Sequence, residues 1–178
     1  TWGNGVYRIT GQDQVISINQ GLGELYLYGL AIDAAGQTLY AGTNGKGIYK
    51  TNINDINWTP INEGISDPRI CSLYIISSTL YAGSRGCTFY FSDDGGTSWN
   101  SETVLGGGQS GECEDAQVWA IAETGDVLFA SLGLDKGLYR RLGGDLWVPV
   151  SDVPSVNIYR FGLHTYSSVL YVGTYGNG

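Results

Sequence analysis

The sequence predicts an all-β fold, and three observations carry that prediction. Of 178 residues only 15% are charged and 42% are hydrophobic, with 28 Gly and 13 Tyr, a composition rich in turns and strands. The apolar runs are short, and each is closed by Gly, Asn or Ser. Four segments repeat: LYAGTNGKGIYK from Leu39, LYAGSRGCTFYF from Leu80, LFASLGLDKGLYRR from Leu128 and LYVGTYGNG from Leu170. Their aromatic positions Tyr40, Tyr81, Phe129 and Tyr171 recur after 41, 48 and 42 residues. A repeat of that length made of four short strands is the unit of a β-propeller, a ring of four-stranded antiparallel blades.

In chain order, GVYRIT and QVISIN supply the third and fourth strands (C and D) of a blade. Residues 25–62 then give a whole blade: LYLYGLAID (A), QTLYAG (B), GIYKT (C) and NWTPIN (D), with AAG and TNGKG as turns whose glycines accept positive φ. Residues 69–103 repeat the order as ICSLYII, STLYAG, TFYFS and SWNSET. Residues 116–152 do so as QVWAIAE, VLFASL, GLYRR and LWVPVS. NIYRFGLH and VLYVGT close the chain as A and B strands. Residues 156–178 and 1–20 thus add up to one further blade. The expected architecture is one domain, 1–178, of about four blades, one of them composed of N- and C-terminal strands. The near-repeat of TWGNG at the start by TYGNG at the end fits either such a closed ring or a window on a longer array.

The net charge of -8 and pI near 4.4 exclude a phosphate-backbone partner, which needs clustered Lys and Arg. Apolar runs such as LYIISSTLYAG are interrupted well short of a membrane span, so no membrane insertion is expected. The chain begins at Thr1 and has no Met, as fits a processed protein or a segment of a longer one. Three Cys among few charges and many Tyr, Asn and Gly point to an extracellular or cell-surface location.

The sharpest local pattern is SDDGGTSW, Ser92 to Trp99. It resembles the Asp box, Ser-x-Asp-x-Gly-x-Thr-Trp, with Ser98 in place of Thr. With the repeat around it the chain resembles the Asp-box (BNR-repeat) propellers of sialidases, sortilin-type receptors, xyloglucanases and bacterial surface proteins. The resemblance implies that Ser92, Asp94, Gly96, Ser98 and Trp99 form a structural hairpin between strands C and D, away from any ligand. Asp94 would accept turn N–H groups, Gly96 would take a positive φ and Trp99 would pack beneath its blade. Trp58 and Trp147 hold the Trp place, with Asp55 and Gly144 at the Gly place; the first unit has Ile16 and Asp13 there.

Catalysis finds little support. VYRIT resembles the Arg-containing motif near the start of sialidase domains, but Tyr7 and Arg8 align with Tyr49 and Lys50 of the next repeat, and Thr10 stands where that motif has Pro. A sialidase needs three arginines converging on a carboxylate, a Tyr–Glu nucleophile pair and an acid/base Asp. The six Arg here fall in no such pattern. His164, the single histidine, reads as a residue near an A–B turn rather than a base or metal ligand. The glycine-rich stretches lack the strand–loop–helix setting of nucleotide sites. No enzyme, cofactor or metal is expected.

In a propeller the B–C turns and D–A connections open on one face. Candidate ligand-binding residues there are Trp2, Asn4, Asn44, Lys46, Arg85, Asp135, Lys136, Tyr175 and Asn177. An aromatic ring stacks on the apolar side of a pyranose while polar side chains bond its hydroxyls, and the same polar Gly-rich loops suit any β-turn. Cys87 and Cys113 are expected on this face, where a disulfide would pin the longest loop; Cys71 with Cys87 is the rival pairing. The expected function is a secreted, non-catalytic module binding an extracellular glycan or cell-surface protein. The alternatives are a surface or filament subunit assembling by strand exchange between half-blades, and a piece of a larger glycosidase or assembly factor.

Overall fold

The computed structural model describes residues 3–11, 14–105, 113, 116–144, 146–153, 158 and 163–174, with backbone alone at 163–164. The chain is an all-β propeller whose strands amount to four blades. The N-terminal hairpin is β1 (Tyr7–Thr10) and β2 (Gln14–Ser17). Blade I follows as β3 (Leu27–Ile32), β4 (Thr38–Thr43), β5 (Ile48–Asn52) and β6 (Thr59–Pro60). Blade II is β7 (Ile70–Ile76), β8 (Thr79–Ser84), β9 (Thr88–Ser92) and β10 (Asn100–Thr103). Blade III is β11 (Val118–Thr124), β12 (Val127–Leu132), β13 (Gly137–Arg141) and β14 (Trp147–Pro149). The C-terminal hairpin is β15 (Leu163–Tyr166) and β16 (Val169–Val172).

Every pairing within a blade is antiparallel and sequential, as short polar turns between alternating apolar strands dictate. The repeats superimpose at the level of register: Tyr40 lies opposite Lys50, Tyr81 opposite Phe91 and Phe129 opposite Arg140. Each complete blade also carries a bulge at the same place in its A strand, between Leu27 and Gly29, Ile70 and Ser72, and Val118 and Ala120.

The core is a series of clusters between neighbouring blades. Val6, Ile18, Ala41, Tyr49 and Trp58 join the N-terminal hairpin to blade I. Tyr40, Ile48, Ile70, Leu73, Tyr90 and Trp99 join blades I and II. Phe89, Val104, Val118, Ile121 and Trp147 join II and III, and Ala120, Ala122, Leu138 and Ile158 meet Leu170 and Val172 of the C-terminal hairpin. Glycines permit this close stacking. A Cβ on Gly29 would stand 2.6 Å from that of Leu73, and one on Gly83 would stand 2.4 Å from the Val118 carbonyl.

The terminal hairpins have the expected C–D and A–B characters, and among the described residues they stand as separate two-stranded sheets. In blades I to III a short turn delivers strand C to the open edge of strand B at small loop-closure cost. Among the described residues no ladder forms between β16 and β1. Two expectations are corrected. No disulfide joins Cys87 to Cys113 or to Cys71. Cys87 takes φ 57° and is fully buried in the cluster between blades II and III, with Cys113 packed partly buried against the same cluster. His164 also differs from its expected place near a turn: its backbone lies within β15 opposite Tyr171, and Ser167 and Ser168 make the turn.

Candidate binding face

The two ends of the blades differ in chemistry. At the C–D end of blade II, Asp94 is consumed by its own hairpin. It accepts from the Ser92 hydroxyl (2.7 Å), the Ser98 N–H (3.0 Å) and the Ser98 hydroxyl (2.7 Å), while Gly96 N–H donates to Ser92 Oγ (2.9 Å). The Ser98 donors first, then the Ser92 hydroxyl, hold its carboxyl far below the usual carboxylate range. Gly96 has φ 81°, and Trp99 is buried with its indole N–H donating to the Ile61 carbonyl of blade I at 2.8 Å. The neighbouring Asp93 accepts from the hydroxyl of Thr79, the first residue of β8.

The opposite end, where B–C turns meet D–A connections, is a braced platform. In blade I the buried Thr43 hydroxyl donates to the Gly47 carbonyl (2.8 Å) and accepts from Lys46 N–H (3.0 Å). Asn62, just past strand D, accepts from Ile48 N–H (2.7 Å) and donates to the Lys46 carbonyl (3.1 Å). Asn19 makes the same clamp one unit earlier, to Val6 N–H (2.6 Å) and the Asn4 carbonyl (3.2 Å). These clamps need bare glycine beneath the amide. A Cβ on Gly47 would stand 2.2 Å from Asn62 Oδ1, and one on Gly5 would stand 2.1 Å from Asn19 Oδ1.

Main-chain links bring some of the expected residues together. Asn44 N–H donates to the Tyr26 carbonyl (3.0 Å), Asn44 bridges Arg69, and Arg85 N–H donates to the Arg69 carbonyl (3.2 Å). Asn44 and Lys46 are exposed and Arg85 is half-buried beside them. Asn4 is exposed on the N-terminal unit, and Asp135 and Lys136 sit in the blade III turn, where Leu134 and Asp135 both take φ 57°. Trp2, Tyr175 and Asn177 lie outside the described residues.

Five residues of this face were not singled out from the sequence. Arg69 is fixed by a bidentate pair with Asp67 (2.9 and 2.8 Å), and 44% of its side chain remains exposed. Asp67 is anchored in turn, its N–H donating to the hydroxyl of the fully buried Tyr90 (2.8 Å). Tyr26 is 48% exposed and lies over Gly3, where a Cβ would come within 2.9 Å of its ring. Trp119 and Gln117 lie over Gly133, a Cβ on which would stand 2.5 Å from the indole nitrogen. Trp119, like Tyr28 and Cys71, occupies the bulged position of an A strand, and a bulge re-aims the side chain it carries. The detectable signal was the repeat itself, since these three positions align at the start of every A strand. Among the described residues no group of three His, Cys, Asp or Glu is placed to hold a metal. Among them, too, no helix is long and apolar enough to cross a membrane.

No protein-family model matches the chain, and no curated protein matches its sequence. Solved structures do match its fold. A computationally designed protein, Ika4, aligns with TM-score 0.61 at 10% identity over 84% of this chain and 85% of its own. YCF48 bound to a D1 peptide aligns with TM-score 0.62 at 17% identity over 88% of this chain, and YCF48 from Cyanidioschyzon merolae with TM-score 0.59 at 17% over 82%. The chain spans about half the length of these two YCF48 structures, 54% and 48%. The likeness is one of propeller fold.

Proposed function

We propose that this chain is a non-catalytic, extracellular propeller module that binds a carboxylate-bearing polypeptide segment on the face of its B–C turns. The observation that carries the reading is the braced cluster of Asn44, Lys46, Arg69 and Arg85 beside Tyr26, on a protein whose net charge is -8. The Arg69 guanidinium, fixed on Asp67, loses little entropy on meeting an anion, the clamped turns hold the backbone of Lys46, and charge-assisted contacts are the strong ones. A propeller neighbour whose structure was solved with a bound peptide supports a polypeptide ligand. In this reading the Ser92–Trp99 hairpin is an Asp box, a folding device at the end remote from the ligand. A glycan is the second ligand class for the same face, by stacking on Tyr26 or Trp119.

The test is a screen of the purified chain on arrays of acidic synthetic peptides and of sialylated and neutral glycans, with calorimetry on the hits. Arg69→Ala with Arg85→Ala is expected to weaken peptide binding at least tenfold and to leave the fold intact. Binding indifferent to both changes, or turnover of nitrophenyl glycosides, would sink the reading.

A further inference from the structure

The two ends of the blade arc present unfilled halves of the interface that the chain builds between its own blades. On β3, Leu30 is 55% exposed and Ile32 45%. Leu73 and Ile121 occupy the position of Leu30 in blades II and III, each opposite an Ala of strand B, and they are 5% and 2% exposed. They are buried because the A–B strands of a preceding blade cover them. Among the described residues, the hairpin that precedes Leu30 in the chain is the C–D pair β1–β2.

The C-terminal hairpin shows the converse. Leu170 and Val172 pack on blade III, while Val169 and Tyr171 on the other face are 49% and 58% exposed. Tyr40, the equivalent of Tyr171 in blade I, is 6% exposed because it packs in one cluster with Leu73 of the following blade. The strand edges match as well. In blades I to III strand B pairs on both sides, whereas among the described residues β16 pairs only with β15 and β1 only with β2.

We infer that these two ends join in trans, head to tail, in an assembly of copies of this chain. The β15–β16 hairpin of one copy adds to the β1–β2 hairpin of the next as a four-stranded blade. Its Tyr171 and Val169 then cover Leu30 and Ile32 of that next copy. Transferring the blade I register, in which Tyr40 faces Lys50, sets Tyr171 opposite Arg8, Leu170 opposite Ile9 and Val172 opposite Tyr7. The occupant is a second copy because the surface each end lacks is one that the other end displays, in the same order and alternation as the established inter-blade contact. Such a contact is heterologous and closes into a ring when its rotation allows. Open strand edges of this kind are also the ones that pair with a further chain.

The test uses the 178-residue chain. Light scattering over a concentration series is expected to give multiples of 19.1 kDa. Leu30→Glu and Tyr171→Glu, both at positions exposed in the single chain, are each expected to weaken association about tenfold or more, the scale set by one buried apolar side chain. Mixing the two variants leaves one intact head and one intact tail, so a one-to-one dimer is expected that grows no further. A misfolded variant is not rescued by mixing. A single-chain mass at every concentration, with or without exchange-protected β16 amides, overturns the proposal, as does the absence of a dimer in the mixture.

Discussion

Glu102 is the side chain whose removal tests the inter-blade architecture most directly. It sits in β10 with 4% of its side chain exposed, accepts from Arg141 Nη2 of blade III, and accepts from the Trp147 indole N–H at 3.2 Å. Removing one partner of a buried pair leaves the other charge uncompensated, at a cost of about 3–5 kcal/mol. Arg141 is 29% exposed and keeps its Nε bond to the Gly144 carbonyl (2.7 Å), so partial rehydration sets Glu102→Ala near the lower end, about 3 kcal/mol. For a domain of this size that is a fall of roughly 6–12 °C in melting temperature. Glu102→Gln keeps an acceptor for Trp147 and is expected to cost about half as much, since a hydrogen bond to a charged group exceeds a neutral one by roughly twofold. Ile18 and Ile61 offer backbone carbonyls to Trp58 and Trp99 at the corresponding joints, so Glu102→Ile with Arg141→Leu should recover most of the loss. Urea unfolding of the single and double variants gives the coupling free energy. A cost below about 1 kcal/mol for Glu102→Ala, or a double variant no more stable than Glu102→Ile alone, would refute the argument.

Three further outcomes follow from the geometry. Asp94 has a folded pKa below its unfolded one, so its contribution is complete above the ordinary carboxylate value of about 4 and is lost as pH falls below it. The stability gap between wild type and Asp94→Asn is therefore expected to narrow through acid titration, and a gap that stays constant down to a pH of about 2 contradicts it. Gly47→Ala puts a side chain at φ 76° and against Asn62, costing about 1–2 kcal/mol for the backbone alone and breaking the Asn62 clamp, read as faster amide exchange at Ile48. With three thiols and no bridge, a reductant should leave the unfolding midpoint unchanged and titration in denaturant should find three thiols; a lowered midpoint would show a disulfide.

The blades were legible because their signal is redundant: Tyr40, Tyr81 and Phe129 mark strand B by alternation, and glycine-rich turns separate the strands. The Ser92–Trp99 hairpin was legible for a different reason, since each bond that Ser92 and Asp94 make within it spans four residues or fewer. What failed to show was long-range. Arg69 follows Pro68 in a stretch that reads as a polar loop, and its partnership with Arg85 and Asn44 exists only once blades stack. The bulges at Tyr28, Cys71 and Trp119 lie inside apolar runs that continue through them, so alternation conceals the extra residue. Whether β16 meets β1 depends on the rotation from blade to blade, which no local pattern encodes.

The three latched joints also show how one requirement is met by two wirings. At the first two, a cation on strand C reaches forward into the next blade: Arg8 Nη1 donates to the Ile53 carbonyl (3.0 Å) and Lys50 Nζ to the Gly95 carbonyl (3.1 Å). At the third joint that position is Phe91, whose side chain has no donor. There the cation comes from the other side, with Arg141 set 6.0 Å from the centre of the Phe91 ring and paired with Glu102. At this joint the Trp147 indole donates to the Glu102 carboxylate, where Trp58 and Trp99 donate to backbone carbonyls. If the two wirings are interchangeable, Phe91→Lys added to Glu102→Ile and Arg141→Leu should rebuild the pattern of the first two joints. The introduced ammonium would then find carbonyls in the Gly143–Gly144 turn that Arg141 vacates. The triple variant is expected to be at least as stable as the double one, and Phe91→Lys alone, facing the like charge of Arg141, is expected to be less stable than wild type. If the lysine destabilises both backgrounds equally, the two wirings are independent accidents of packing and not alternatives for one latch.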